Sequence, residues 1–254
     1  MPFSFAHPAY AAPLKLLFPR RISLTGLIMG SMAPDFEYFI ALEPHRTIGH
    51  STLGLFAQAL PLSFLLAWMF HYFMKDGLAV HSPSLFGLDA RLAALSARYP
   101  WKLSGLTSWF VFAISVAIGF YSHVLLDSFT HQSGYFVQRI GFLERGAAFG
   151  VPVYKLLQHG LSLAGLLGQA AALLILLGRT EPSPAYTPAS AGSKARFWGG
   201  AAAAALLIIT VKLAWFSGGN MIGTVVVSSI SGMFAGVAVS SAIYKLRIKA
   251  KKDR

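Results

Sequence analysis

An all-α, polytopic bundle of membrane-spanning helices is the fold this sequence predicts, and three observations predict it. Hydrophobic residues make up 55% of the 254 positions and charged residues only 12%, whereas a soluble domain carries about 25% charged residues. Five apolar stretches, 52–74, 105–126, 160–178, 197–217 and 221–244, reach the ~20 residues that a bilayer requires. The basic residues, for their part, gather in the connections and the tail rather than inside the stretches.

Each element follows from its own residues. The first ten positions mix Pro, Phe and His and lack the basic head, apolar middle and small-residue cleavage site of a secretory leader, so no removable leader is expected. Residues 22–33 are apolar and rich in small side chains but too short to span. They are expected as a short buried or re-entrant helix against the bundle. The first stretch carries Pro61 and His71 but no acid or strong base, and the fourth is interrupted only by Lys212 near its end, where a lysine can snorkel. Residues 179–196, with Pro182, Pro184 and Pro188, read as an extended linker. Beyond it, 197–244 form a helical hairpin turning at Ser217-Gly218-Gly219-Asn220, and 245–254 are a basic tail. The second limb carries Gly232-x3-Gly236-x3-Ser240, a small-residue stripe suited to close packing or to homo-oligomer formation. Residues 1–178 therefore stand apart as the part that holds the polar chemistry.

The net charge of +12 points to membrane lipids rather than nucleic acid. Thirteen Lys and Arg lie on one side of the expected topology and seven on the other, which makes the richer side cytoplasmic and brings the tail to anionic headgroups. No nucleic-acid-binding signature accompanies the charge, and the absence of cysteine excludes disulfides and thiolate ligands.

The polar residues converge in an unusual way. If alternate stretches run in opposite directions, His7, Asp35, His50, His123, Asp127, His131 and His159 all fall at one membrane edge, the outer one. His123-x3-Asp127-x3-His131 has the spacing that puts residues on one face of a helix. Imidazole nitrogen and carboxylate oxygen suit zinc, iron or manganese, and ionisable groups at membrane depth usually face a cavity or a partner. Other readings exist for each residue. His123 and Asp127 can form a hydrogen-bonded pair with His131 in the following loop; Asp35 can cap a helix starting at Phe36; His50 can be interfacial; His159 can be a polar residue before a span. His45 is a further candidate ligand, and Glu37 is either a second acid, and then the candidate catalytic base, or solvent-exposed. His71 and His81 lie at the opposite edge and are expected to be structural, interfacial or solvent-exposed. Ligation of a shared ion puts donors about 2.0–2.2 Å from one centre. His50, His123, Asp127 and His131 should then meet in one cavity, covered by His7 and Asp35.

Four segments carry a resemblance: 1–9 (Met-Pro-Phe-Ser-Phe-Ala-His-Pro-Ala), 30–38 (Gly-Ser-Met-Ala-Pro-Asp-Phe-Glu-Tyr), Gly49-His50-Ser51 and 122–131 (Ser-His-Val-Leu-Leu-Asp-Ser-Phe-Thr-His). Together they resemble a bacterial inner-membrane domain-of-unknown-function family over most of residues 1–178. That family in turn resembles membrane-bound metal-dependent hydrolases. More distantly, the ligand order is similar to that of the zinc-dependent phospholipase C and P1-type nuclease superfamily. The chain departs from that superfamily where its last His-x3-Glu becomes His159-x3-Leu163, and no tryptophan stands at the N-terminus. The resemblance implies a multi-pass protein of the bacterial inner membrane with one or two divalent ions, zinc first among them. Activity on a phosphoester of a lipid or lipid-linked substrate is the expectation that follows. The alternative is a non-catalytic integral membrane protein with a structural metal or polar cluster.

Overall fold

A computed structural model describes residues 4–182, 186–215 and 218–253, and within them the chain is helical with no strand. Five helices are long and apolar enough to cross a membrane: Thr52–His81, Leu106–Thr130, Val153–Gly178, Ala191–Ala214 and Met221–Ala250. Only 17% to 33% of the most apolar window of each is buried. Large side chains such as Leu174, Leu206 and Ile222 point outward, so these helices present a lipid-facing surface that a water-soluble protein would hide. The chain is an all-α, multi-pass membrane protein.

Two compact units emerge, and they interleave along the sequence. One comprises Met1–Phe36, Thr47–Phe64 and Leu103–Leu174; the other comprises Glu37–Arg46, Leu65–Lys102 and Ile175–Arg254.

In the first unit, the apolar 22–33 segment forms the expected short helix, Leu24–Met32, capped by Ser23, whose Oγ accepts from the Gly26 amide at 3.2 Å. It lies backbone-to-backbone on the second span. A Cβ at Gly30 would stand 2.1 Å from the Val116 carbonyl oxygen, and one at Gly119 would stand 2.4 Å from that of Leu27. Small residues on both helices thus permit an approach that any side chain would block. The N-terminal turns sit on the third span in the same way. A Cβ at Gly165 would meet the Ala6 carbonyl at 2.8 Å. Tyr10 donates to the Leu161 carbonyl at 2.6 Å, and the Gln169 amide donates to that of Phe5 at 2.7 Å. The first span opens with a Ser51 cap and a wide π-turn at Leu55–Ala59, just before Pro61. Proline has no N–H and crowds the carbonyl four residues back, which loosens the helix there.

In the second unit, the last two spans pack through the expected small-residue stripe: Cβ atoms at Gly232 and Gly236 would each stand 2.6 Å from a Cα, of Ala205 and Ala201 respectively. Ser240 adds a hydrogen bond to the Phe197 carbonyl at 3.1 Å. The fourth span begins at Ala191, inside the expected linker, because Ser190 caps it. Pro184 of that linker, Ser217 of the expected turn and Arg254 of the tail lie outside the described residues; Gly218 and Gly219 of the turn have φ of 116° and 109°. Of the structural, interfacial and solvent-exposed readings open for His81 and His71, a packed position fits His81. His81 is buried and stacked on Phe197 at 4.4 Å between ring centroids, and His71 is stacked on Trp101 at 4.9 Å.

Candidate metal centre

Three pieces of the first unit deliver the polar side chains to one place. The N-terminal turns bring His7, the Ala33–Asp35 turn after the short helix brings Asp35, and the turn before the first span brings His50. The second span meets them with His123 and Asp127. His50 Nε2 stands 3.5 Å from Asp35 Oδ1 and 3.4 Å from Asp127 Oδ2. His123 Nε2 stands 3.3 Å from Asp127 Oδ2 and 3.8 Å from Asp35 Oδ1, and His7 Nε2 is 3.6 Å from Asp127 Oδ1. The His7 and His123 rings stack at 3.7 Å. Two triads, His7–His123–Asp127 and Asp35–His50–His123, each bring three donor atoms within 4.8 Å of one another and share His123. The convergence expected of His50, His123 and Asp127, with His7 and Asp35 alongside, is present.

Hydrogen bonds around the cluster fix which atoms face it. His123 Nδ1 lies 2.7 Å from the Ser31 carbonyl, which can only accept. Nδ1 therefore donates, which leaves Nε2 as the nitrogen that faces the two carboxylates, at 3.3–3.8 Å. Two donors held about 2.1 Å from a tetrahedral centre stand roughly 3.4 Å apart. His7 Nε2, His123 Nε2 and Asp127 Oδ1 are buried and make no hydrogen bond among the described residues. Burial first, and then repulsion from His123, lowers the pKa of His7 to about 3, so its ring is a neutral donor. Three imidazoles and two carboxylates are a donor set that could hold a divalent ion.

His131 takes a supporting position. The second span ends at Thr130, and His131 follows with extended backbone, so the one-face stripe stops at Asp127. Its Nδ1 lies 3.3 Å from both the Asp127 carbonyl and Oδ1, and its Nε2 lies 3.3 Å from the Gln158 amide nitrogen. Lys155 donates to Gln158 Oε1 at 3.3 Å, which turns the amide N–H toward His131. His131 Nε2 therefore accepts and its Nδ1–H faces Asp127. It belongs to neither triad. Burial lowers its pKa, with the opposing pull of Asp127 only partly restoring it.

His159 is not brought to the cluster: its side chain is exposed, and Gln158, one residue earlier, is the one turned inward. His45 is exposed. Glu37 is buried rather than exposed and belongs to the other compact unit, outside both triads. Two contributors were not anticipated. Ser4 donates its hydroxyl to Asp35 Oδ2, and Gln158 orients His131. Ser4 stands inside the motif around His7, and a buried amide at a span entrance would have marked Gln158.

A family model described as a domain of unknown function (DUF4184) matches residues 1–242. The chain belongs to that family. The match takes in the His/Asp cluster, the first four spans and most of the fifth, well beyond residues 1–178. No curated protein and no solved structure matches the chain.

Proposed function

We propose that this protein is a metal-dependent hydrolase of the bacterial inner membrane, cleaving a phosphoester of a lipid or lipid-linked substrate. His7, Asp35, His50, His123 and Asp127 hold one or two zinc ions in this reading. The observation that carries it is the convergence of buried imidazole and carboxylate atoms at 3.3–3.8 Å around Asp127 and His123. A His–carbonyl hydrogen bond behind a metal-facing nitrogen, as His123 makes with Ser31, is the usual supporting arrangement for a metal-bound imidazole. Zinc accepts imidazole and carboxylate ligands without thiolate. When bound, the ion supplies Lewis-acid polarisation of a phosphoryl oxygen. The ligand order shared with the zinc phospholipase C and P1-type nuclease superfamily supports the same substrate class.

The chain's own residues supply access and orientation. The side chains of Asp35, His50 and His123 are at most 6% exposed, whereas His131 is 25% exposed. An open groove of about 530 Å³ lies against His131, lined also by Tyr154, Lys155 and Gln158. Substrate approaches from that side, where Lys155 offers a cation to an anionic headgroup and His131 keeps Asp127 oriented. The groove beside His131, which in turn contacts Asp127, supports the catalytic reading over a closed structural ion. The lysine and arginine imbalance supports an outer-face location for this edge.

Elemental analysis of detergent-purified protein tests the metal. Wild type should carry about one to two equivalents of zinc, in line with one or two shared-ligand sites. His123→Ala and Asp127→Ala should carry almost none and should hydrolyse no phospholipid in mixed micelles. Full zinc loading of the double variant refutes the proposal. One observation favours a non-catalytic structural ion: the position of the superfamily's last carboxylate is Leu163, which is 60% exposed. That reading requires chelation to lower thermal stability with no hydrolysis detectable at any stage.

A further inference from the structure

The second unit contains a cavity of its own, of about 150 Å³, where the ends of the first, fourth and fifth spans meet. Its floor is rigid. His81, the last residue of the first span, sets Nδ1 2.8 Å from the Gly77 carbonyl and Nε2 3.2 Å from Ser193 Oγ, and its ring stacks on Phe197. The Trp198 indole donates to the His81 carbonyl at 2.8 Å, and Ser240 ties the fifth span to Phe197 at 3.1 Å. Tyr244 stands edge-on to His81 at 4.8 Å. These fixed side chains leave Arg196 and Arg247 at the rim.

Neither guanidinium has an acidic partner or hydrogen bond among the described residues, and no acid lines the cavity. Lys194, two positions before Arg196, is the contrast: Asp89 neutralises it at 2.7 Å. Arg196 folds back along its helix, its Nη1 only 3.6 Å from where a Cβ on Gly192 would be. That places its charge over the first turn of the fourth span, at the positive end of the helix dipole. The fifth span is 30 residues long. At about 1.5 Å per residue it reaches roughly 45 Å, well past a hydrocarbon core of about 30 Å. Arg247, near its end, therefore stands at headgroup level. Phe197 and Ile243 give the same cavity an apolar wall.

Two unpaired guanidiniums, hydroxyls from serine and tyrosine, a helix N-terminus and an apolar wall are the complement of one ligand: a phosphate joined to a greasy body. Arginine's fork matches phosphate oxygens two at a time, and basic pockets between spanning helices are suited to anionic lipid headgroups. We propose that this cavity binds the phosphate of an anionic phospholipid, clamped by Arg196 and Arg247, with the glycerol and the first acyl carbons against Phe197 and Ile243. The site is independent of the metal centre and of any turnover there.

The experiment compares detergent-purified wild type, Arg196→Gln/Arg247→Gln, and a control, Lys245→Gln/Lys249→Gln, that removes equal charge beside the cavity. Each is melted in micelles containing phosphatidylglycerol, phosphatidylcholine, or detergent with inorganic phosphate. Binding is counted in parallel by native mass spectrometry. Phosphatidylglycerol should raise the melting temperature of wild type and of the control above the phosphatidylcholine value. Its affinity for the double-arginine variant should fall roughly tenfold or more, as losing two charge-assisted contacts implies. Reading the lipid-dependent shift, rather than the melting temperature itself, separates binding from any loss of basal stability. An equal shift in the arginine variant, or an equal loss in the control, overturns the site. A shift of the same size with inorganic phosphate alone overturns the assignment to a lipid.

Discussion

His123 donates its Nδ1–H to the Ser31 carbonyl across 2.7 Å, and this one bond decides which nitrogen faces the carboxylates. It exists because Gly30 and Gly119 let the short helix lie directly on the second span. Gly30→Ala would drive a methyl to 2.1 Å from the Val116 oxygen. Overpacking of this kind costs about 1–3 kcal/mol. The variant should melt lower in detergent and also lose metal, although residue 30 offers no ligand. Retained zinc with a lowered melting temperature would uncouple the helix contact from the site.

Removing the Ser4 hydroxyl leaves Asp35 Oδ2 without its donor. Supporting partners of a metal ligand are typically worth about 10–100-fold in metal affinity. Ser4→Ala should weaken zinc binding by that order in a competition titration against a chromophoric chelator, while Ser4→Thr should recover most of it.

Ligand that binds only the folded protein stabilises it by mass action, by about 2.7 kcal/mol at a hundredfold excess over Kd. Chelator should therefore lower the melting temperature of wild type, and added zinc should restore it. The melting curve of His123→Ala should be insensitive to both treatments.

His159→Ala should match wild type in zinc content and melting temperature, since the side chain is exposed and away from the triads. Gln158→Ala should reduce zinc content modestly by freeing His131. The pair of variants reads helical phase directly.

The Asp89–Lys194 pair, at 2.7 Å with Asp89 2% and Lys194 15% exposed, is a partly buried ion pair. Removing one partner leaves the other charge uncompensated, so Asp89→Asn should melt below wild type. Burial pushes the Asp89 carboxyl up, but the Lys194 ammonium, the Ser84 hydroxyl and the Ala90 amide outweigh it and hold the group below the usual carboxylate range. A depressed native pKa means that the unfolded chain binds the proton more readily. The stabilisation is thus complete above the unfolded value of about 3.9 and drains away as pH falls through the lower native one. Acid melts should show wild type converging on Asp89→Asn below about pH 4, and a constant gap between them would contradict this role.

The spans were legible because twenty apolar residues admit few alternatives, whereas their ends were not. Ser190 starts the fourth span at Ala191, earlier than the apolar run at 197, because a cap and ordinary helix propensity carry a helix past its greasy part. The third span likewise begins at Val153, seven residues before the expected 160. That fixes the helical phase that turns Gln158 inward and His159 outward, and a lone histidine before an apolar run carries no such phase. His123 and Asp127 were readable since four residues on one helix face need no tertiary knowledge. The helix contact made by Gly26, Gly30 and Gly119 used the same small-residue spacing that was recognised at Gly232 and Gly236, and it was missed because the 22–33 segment is short. The interleaving of the two units had no local signal at all.

The donors of the triads are scattered along the chain, and a ribosome releases them in a fixed order. His7, Asp35 and His50 emerge first, and at about 5–20 residues per second several seconds pass before His123 and Asp127 follow. Until the second span has entered the bilayer and the short helix has docked on it, neither triad is complete, because both include His123. If the cluster holds a metal as proposed, capture comes late in biogenesis, after insertion of the first two spans. A ribosome stalled before His123 then leaves a chain able to enter the membrane and unable to load.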